Sequence, residues 1–299
     1  MSSHVRLDSP PSQAPGSAAN PASAVSTYVH SGAHELHVTA WGDPSRPALV
    51  MWHGLARTGR DFDEAAATLS AEYFVLCPDT LGRGLSSWAK DAGADYSFAV
   101  YSRHAEAILD HFRIGSLRWV GTSMGGLIGV TLAAGRLKDR ISHLVVNDIG
   151  PATPQAAANR IAEYVGHPPA FKTIAELEAW YRQAYAPFGS NSDEFWRRMA
   201  DTGVRRRDDA RVTVHYDPRI ASQFTTHKTD LDCWPAWDAI TARTLLLRGA
   251  DSDVLPAETA GQMCLRGPKP RLIEFSGVGH APTLTSRAEL AAVGEFLRK

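Results

Sequence analysis

Residues 119–129 read Trp119-Val120-Gly121-Thr122-Ser123-Met124-Gly125-Gly126-Leu127-Ile128-Gly129. An apolar strand runs into Gly-Thr-Ser-Met-Gly and then into an apolar helix start, which is the pattern of a nucleophile elbow. So tight a strand-to-helix turn forces strained backbone angles on the central residue, and the residues two before and two after it must be small. Gly121 and Gly125 meet that demand. The strain lifts the Ser123 hydroxyl above the end of the sheet, and the helix that follows aims its first N–H groups and its positive dipole end at any oxyanion formed there. A lone G-x-S-x-G is common by chance. The readable strand and helix on either side of it give this one its weight.

Working outward, the apolar run at residues 48–52 ends in His53-Gly54-Leu55, where glycine lets the backbone turn its N–H groups inward. The N–H groups of Leu55 and Met124 are therefore the candidate oxyanion donors. Near the C-terminus, strand-like residues 244–248 lead into Gly249-Ala250-Asp251-Ser252-Asp253, and residues 271–275 lead towards Gly277-Val278-Gly279-His280. The order Ser, Asp, His distinguishes this chain from the other two serine hydrolase arrangements.

On these residues the sequence resembles the α/β-hydrolase fold family, and within it the small, capped, cofactor-free hydrolases, over roughly residues 27–298. The resemblance implies an α/β fold: a mostly parallel sheet of about eight strands flanked by helices, with a helical cap inserted after strand six. It also implies Ser123 as nucleophile, His280 as base and an acid to orient the imidazole. Asp251, Asp253 and Asp148 compete for that last role. Sequences resembling G-x-x-S-D-V-L turn the Asp of S-D towards the histidine, which favours Asp253; Asp251 shares its loop, and Asp148 follows the strand after the nucleophile helix. His53, directly before Gly54, fits the shaping of the oxyanion loop better than a second base.

Composition bounds the class. With 299 residues, 44% hydrophobic and 21% charged, the chain can bury one large α/β domain plus an insertion. A net charge of −1 without a basic run interleaved with aromatics leaves nucleic acid no electrostatic footprint. No apolar run approaches the ~20 residues needed to cross a bilayer, and no basic-then-apolar leader opens the chain, so a cytoplasmic protein without a membrane partner is expected. Cys77, Cys233 and Cys264 are odd in number and outside metal-ligand spacing, which reads as reduced buried thiols, with no metal and no cofactor. The expected partner is a small-molecule substrate. Nothing in the sequence speaks to oligomeric state.

Residues 1–24 are rich in Pro, Ser and Ala and are expected to form a disordered tail. Residues 25–149 and 236–299 are assigned to the core. It would open with a hairpin around Ser31-Gly32 and include a D-x-x-G-x-G-x-S loop at residues 79–86 whose role reads as structural. Strand and helix stop alternating over residues 150–235, the expected cap. There Thr173 and Glu176 have capping-box spacing, and Asn191 or Ser192 can cap a further helix. Most cap aromatics should pack the cap onto the core, but one or two of Trp180, Tyr181, Phe188, Trp196 and Trp234 are expected to line the cavity roof, with Trp180 and Trp196 as candidates for substrate contact. The run at residues 205–209 reads as a solvated charged face.

Serine rather than aspartate at the elbow points to acyl chemistry. The leading expectation is hydrolysis of an ester or lactone. Carbon–carbon bond hydrolysis of meta-cleavage products, whose elbow has a similar S-M-G-G form, is the alternative, and a binding protein without catalysis is a reading from another class. Arg57, just past Leu55, is a further candidate. Either it pairs with a nearby acid such as Asp148, or it holds a carboxylate of the substrate.

Overall fold

The computed structural model describes residues 4–8, 24–227, 230 and 232–299. In chain order the core begins with β1 (His4–Asp8), β2 (Val25–Ser31), β3 (His34–Trp41), β4 (Ala48–Trp52), α1 (Asp63–Leu69), β5 (Phe74–Pro78), α2 (Ala92–Asp95) and α3 (Phe98–His111). It continues with β6 (Leu117–Thr122), α4 (Met124–Ala134) and β7 (Ile141–Asn147). The cap follows with α5 (Gln155–Gly166), β8 (Ala170–Phe171), α6 (Ile174–Ala184), α7 (Asp193–Thr202), β9 (Val204–Arg206), β10 (Val212–Val214) and α8 (Gln223–Thr226). The chain then returns to the core through α9 (Trp234–Ala239), β11 (Arg243–Gly249), α10 (Ala257–Leu265), β12 (Arg271–Ser276) and α11 (Arg287–Arg298).

The sheet has nine strands in the order β1-β12-β11-β7-β6-β4-β5-β3-β2. Pairing is parallel from β1 through β5 in that order, whereas the β5–β3 and β3–β2 pairings are antiparallel, so that β3 runs against the other strands. Strands covered by helices on both faces are apolar throughout, which is why every residue of β4 and of β5 is buried. Alternate side chains feed two cores: Val50 and Trp52 join one, Leu49 and Met51 the other. The β2–β3 hairpin turns at Gly32, whose φ of +62° suits glycine.

Two features depart from the sequence expectation. Residues 4–8, assigned to a disordered tail, form an edge strand parallel to β12, giving nine strands rather than eight. Main-chain pairing along an open sheet edge asks little of side-chain composition, so an apolar-poor segment can still satisfy it. The rest of the expected tail lies outside the described residues. The cap also holds a small antiparallel sheet, β8-β10-β9, besides its helices. Thr173 caps α6 by accepting from the Glu176 N–H, and Ser192, rather than Asn191, caps α7. Among the described residues no helix is long and apolar enough to cross a membrane.

Candidate active site

Ser123 stands between β6 and α4 with φ 52° and ψ −119°, the strained conformation that the elbow demands. Its neighbours leave no room for side chains: a Cβ on Gly121 would lie 2.2 Å from the Gly125 carbonyl oxygen, and one on Gly125 would lie 2.1 Å from that of Trp52. The Ser123 N–H donates to the Asn147 carbonyl at 2.9 Å, and the Asn147 side-chain amide donates to the Pro282 carbonyl at 2.8 Å. One residue at the end of β7 thus ties the elbow to the loop that carries His280.

His280 Nε2 lies 3.0 Å from Ser123 Oγ, and its Nδ1 lies 2.8 Å from Asp148 Oδ2. Asp148 is fully buried, at φ 56°, immediately after β7. Its Oδ1 accepts the Gly249 N–H at 2.8 Å, and its Oδ2 also accepts the Ser252 hydroxyl at 2.7 Å. A buried carboxylate so surrounded by donors is fixed in direction. It accepts from Nδ1–H, which leaves Nε2 free to take the Ser123 proton.

Asp253, expected to orient His280, does not do so. Its side chain is 58% exposed and pairs with Arg160 of α5 at 2.6 Å. The loop after β11 turns Ser252 inward and Asp253 outward, so in the S-D pair it is the serine hydroxyl that reaches the buried carboxylate. Asp251 is also exposed.

The loop after β4, which carries the candidate oxyanion donor Leu55, is fixed by a chain of hydrogen bonds. Trp52 Nε1–H donates to Thr80 Oγ1 at 2.9 Å, the Thr80 N–H donates to His53 Nε2 at 2.9 Å, and His53 Nδ1–H donates to the Gly54 carbonyl at 2.6 Å. His53 is fully buried, and that burial, before any charged neighbour, lowers its pKa to about 4. A trans peptide points its N–H opposite to its C=O, so holding the Gly54 carbonyl against His53 turns the Leu55 N–H the other way. A Cβ on Gly54 would lie 3.6 Å from Ser123 Cβ, which places this loop against the nucleophile. Met124 is the first residue of α4, where helical N–H groups have no intrahelical acceptor.

A model of the α/β-hydrolase fold matches residues 47–286. The chain belongs to the α/β-hydrolase fold family. A 3-hydroxybutyrate-oligomer hydrolase of Cupriavidus necator is 38% identical over 275 residues, covering 89% of this chain and 93% of that one. An esterase of Mycobacterium tuberculosis is 27% identical over 262 residues, covering 83% and 81%. Among solved structures, an α/β hydrolase of Novosphingobium aromaticivorans superposes with a TM-score of 0.84 at 35% identity, covering 93% of this chain and 99% of that one.

In this α/β hydrolase, Ser123 and His280 open into a cavity between core and cap that encloses about 1290 Å³ of empty space, its open mouth included. Leu55, Met124, Leu127 and Ile149 contribute from the core, and Ile161, Tyr164, Tyr185, Phe188, Phe195 and Phe224 from the cap. Of the five cap aromatics singled out in the sequence, Phe188 lines the cavity. Trp180 instead packs against Phe171, Tyr181 and Tyr185, and Trp196 is buried against Phe195 with Arg182 over its ring. Helical spacing marks which aromatics face inward, but not whether core or cavity lies there.

Arg57 lines the cavity but is already engaged. Its Nε and Nη2 donate to the two oxygens of Asp61 at 2.8 and 2.7 Å, and the guanidinium stands 5.1 Å from the ring centres of both Tyr181 and Tyr185. The acid is Asp61, one helical turn along the same loop, and not Asp148.

Arg83 was missed in the sequence, hidden in a loop read as structural. Fully buried, it donates from Nε to the Leu55 carbonyl at 2.8 Å and from Nη1 to Leu81 O and Tyr101 Oη, while Nη2 meets Met124 Sδ at 3.6 Å. These partners are all neutral. One cation therefore touches both residues expected to bind the oxyanion, and its charge is felt at His53. Gly84 permits the turn: φ is +51° there, and a Cβ would lie 2.2 Å from the Asp79 carboxylate. No three His, Cys, Asp or Glu side chains converge as a metal site among the described residues.

Proposed function

We propose that this hydrolase cleaves carboxylic esters of short hydroxy acids, oligoesters included, through an acyl-enzyme on Ser123. The observation that carries the reading is the continuous line Ser123–His280–Asp148 at the floor of a largely apolar cavity. Ser123 Oγ attacks the ester carbonyl as its proton passes to His280 Nε2, and the negative oxygen of the tetrahedral intermediate lies between the Leu55 and Met124 N–H groups. The intermediate collapses, the C–O bond breaks, and His280 returns the proton to the departing alkoxide, releasing an alcohol. Water, deprotonated by the same nitrogen, then attacks the acyl-enzyme and frees the acid. Asp148 accepts the Nδ1–H hydrogen bond throughout, holding the tautomer and stabilising the transient imidazolium.

Hydroxy-acid esters are favoured within ester chemistry because the relative in Cupriavidus necator is named for 3-hydroxybutyrate oligomers and aligns across nearly its whole length. The cavity suits them: a short branched acyl chain fits among Leu127, Ile161 and Phe195, with few polar groups to satisfy. A panel of linear 3-hydroxybutyrate dimers and trimers, a p-nitrophenyl ester series, one lactone and one vinylogous diketone tests this reading. The oligoesters should give the highest kcat/KM; faster turnover of the diketone would assign the protein to carbon–carbon bond hydrolysis instead.

A further inference from the structure

Besides the two histidines, the charged side chains lining the cavity form two ion pairs of opposite character. Arg57–Asp61 is spent: Arg57 is 7% exposed, its bond to Asp61 is bidentate, and two tyrosine rings flank it. Arg160–Asp253 is not. It joins the cap helix α5 to the core loop after β11, the two side chains are 53% and 58% exposed, and the hydrogen bond that joins them runs from Nη2 to Oδ2 at 2.6 Å. Exposed pairs of this kind contribute little to stability, so exchanging one carboxylate partner for another costs little.

An acyclic hydroxy-acid ester needs such an exchange, an argument that rests on the proposed substrate class. Its ester carbonyl must reach Ser123, while its free carboxylate end cannot be stripped of water against the apolar walls. That end has to stay at the exposed part of the cavity lining. We propose that Arg160 is the carboxylate-binding residue of the cavity, giving up Asp253 to grip the anionic end of the substrate, and that Asp253 is its internal competitor. The pair then selects linear substrates with a free acid end over neutral esters of equal length.

The two residues should act in opposite directions, which separates recognition from a structural latch. Hydrolysis of p-nitrophenyl butyrate by the full-length enzyme is measured with the linear 3-hydroxybutyrate dimer as competitor, as the free acid and as its methyl ester. Arg160→Gln should raise the inhibition constant of the acid about tenfold, the worth of a charge-assisted hydrogen bond, and leave that of the methyl ester within about twofold. Asp253→Asn should lower the constant for the acid. A shift in the same direction for both variants, equal shifts for acid and methyl ester, or no competition by the acid in the wild type would overturn the proposal. Because the readout is competition, it holds even if the dimer proves not to be hydrolysed, a result that would count against the substrate class alone.

Discussion

Asp148 and His280 are 132 residues apart in the chain and meet at 2.8 Å. They meet because β7 and β11 are neighbours in the sheet, with Asn147 paired to Leu247, so the loops after these two strands leave the same edge together. His280 approaches from the loop after β12, next in the sheet after β11. The loop after β7 supplies the carboxylate, and the last residue of β11 and the loop after it supply the Gly249 N–H and the Ser252 hydroxyl that fix it.

The molecule contains a second Ser–His–Asp line. Ser26 Oγ lies 2.9 Å from His37 Nε2, and His37 Nδ1 lies 2.8 Å from Asp79 Oδ2. Ser26 is exposed, but it sits within β2 rather than at a strand–helix turn, away from the Leu55 and Met124 N–H groups proposed as oxyanion donors for Ser123. A fluorophosphonate probe should therefore label Ser123 alone. Intact-mass and peptide analysis should show no adduct in Ser123→Ala and full labelling in Ser26→Ala; an adduct on Ser26 would mean that proton transfer suffices without an oxyanion site.

Arg83 offers a separate test of the oxyanion geometry. Arg83→Met removes the hydrogen bond to the Leu55 carbonyl and the buried charge behind the site. It should lower kcat on the order of 10- to 100-fold with KM changed by less than about threefold, somewhat below the loss of a direct oxyanion donor. Affinity for a boronic acid, which mimics the tetrahedral state, should fall in parallel. Arg83→Lys, which keeps a charge, should recover part of the loss. A lower Tm with kcat and boronate affinity unchanged would leave Arg83 a purely structural role.

The buried histidines make stability depend on pH in a defined direction. His53 has a folded pKa of about 4, below its unfolded value near 6.5, so the folded protein resists a proton that the unfolded chain accepts. Its contribution is complete above about pH 6.5 and declines by up to about 1.4 kcal/mol per unit as pH falls towards 4. His104, lowered to about 3 by burial and then by His34 and Arg103, acts in the same direction. Urea unfolding at pH 7, 6 and 5 should show stability falling with each step, and His104→Asn should flatten the slope. A pH-independent stability over that range would contradict the neutral buried histidines, and with them the tautomer that holds the Gly54 carbonyl.

Much of this arrangement is legible in the sequence, because local rules decide it. The glycines around Ser123, the glycine after His53 and the apolar runs of β4, β5 and β7 each follow from sterics or burial within a few residues. What the sequence leaves open is decided between loops. Asp148 and Asp253 both follow strands that end at the same edge, and only the direction in which each loop turns separates them. Likewise Arg83 reads as one charge in a glycine-rich loop until the loop after β4, α3 and α4 close around it. The acidic partner of Arg57 was misjudged for the opposite reason: Asp61, four residues away, lies nearer than any acid the fold brings in.

We propose Asp148 as the acid that orients His280. The most direct test is kcat for one neutral p-nitrophenyl ester in Asp148→Asn and Asp253→Asn, with Tm measured alongside to check folding. Asp148→Asn should lose about 10³- to 10⁴-fold, as an orienting acid does when its carboxylate is removed, and Asp253→Asn should lose orders of magnitude less. A collapse of Asp253→Asn while Asp148→Asn stays near wild-type activity would contradict the account.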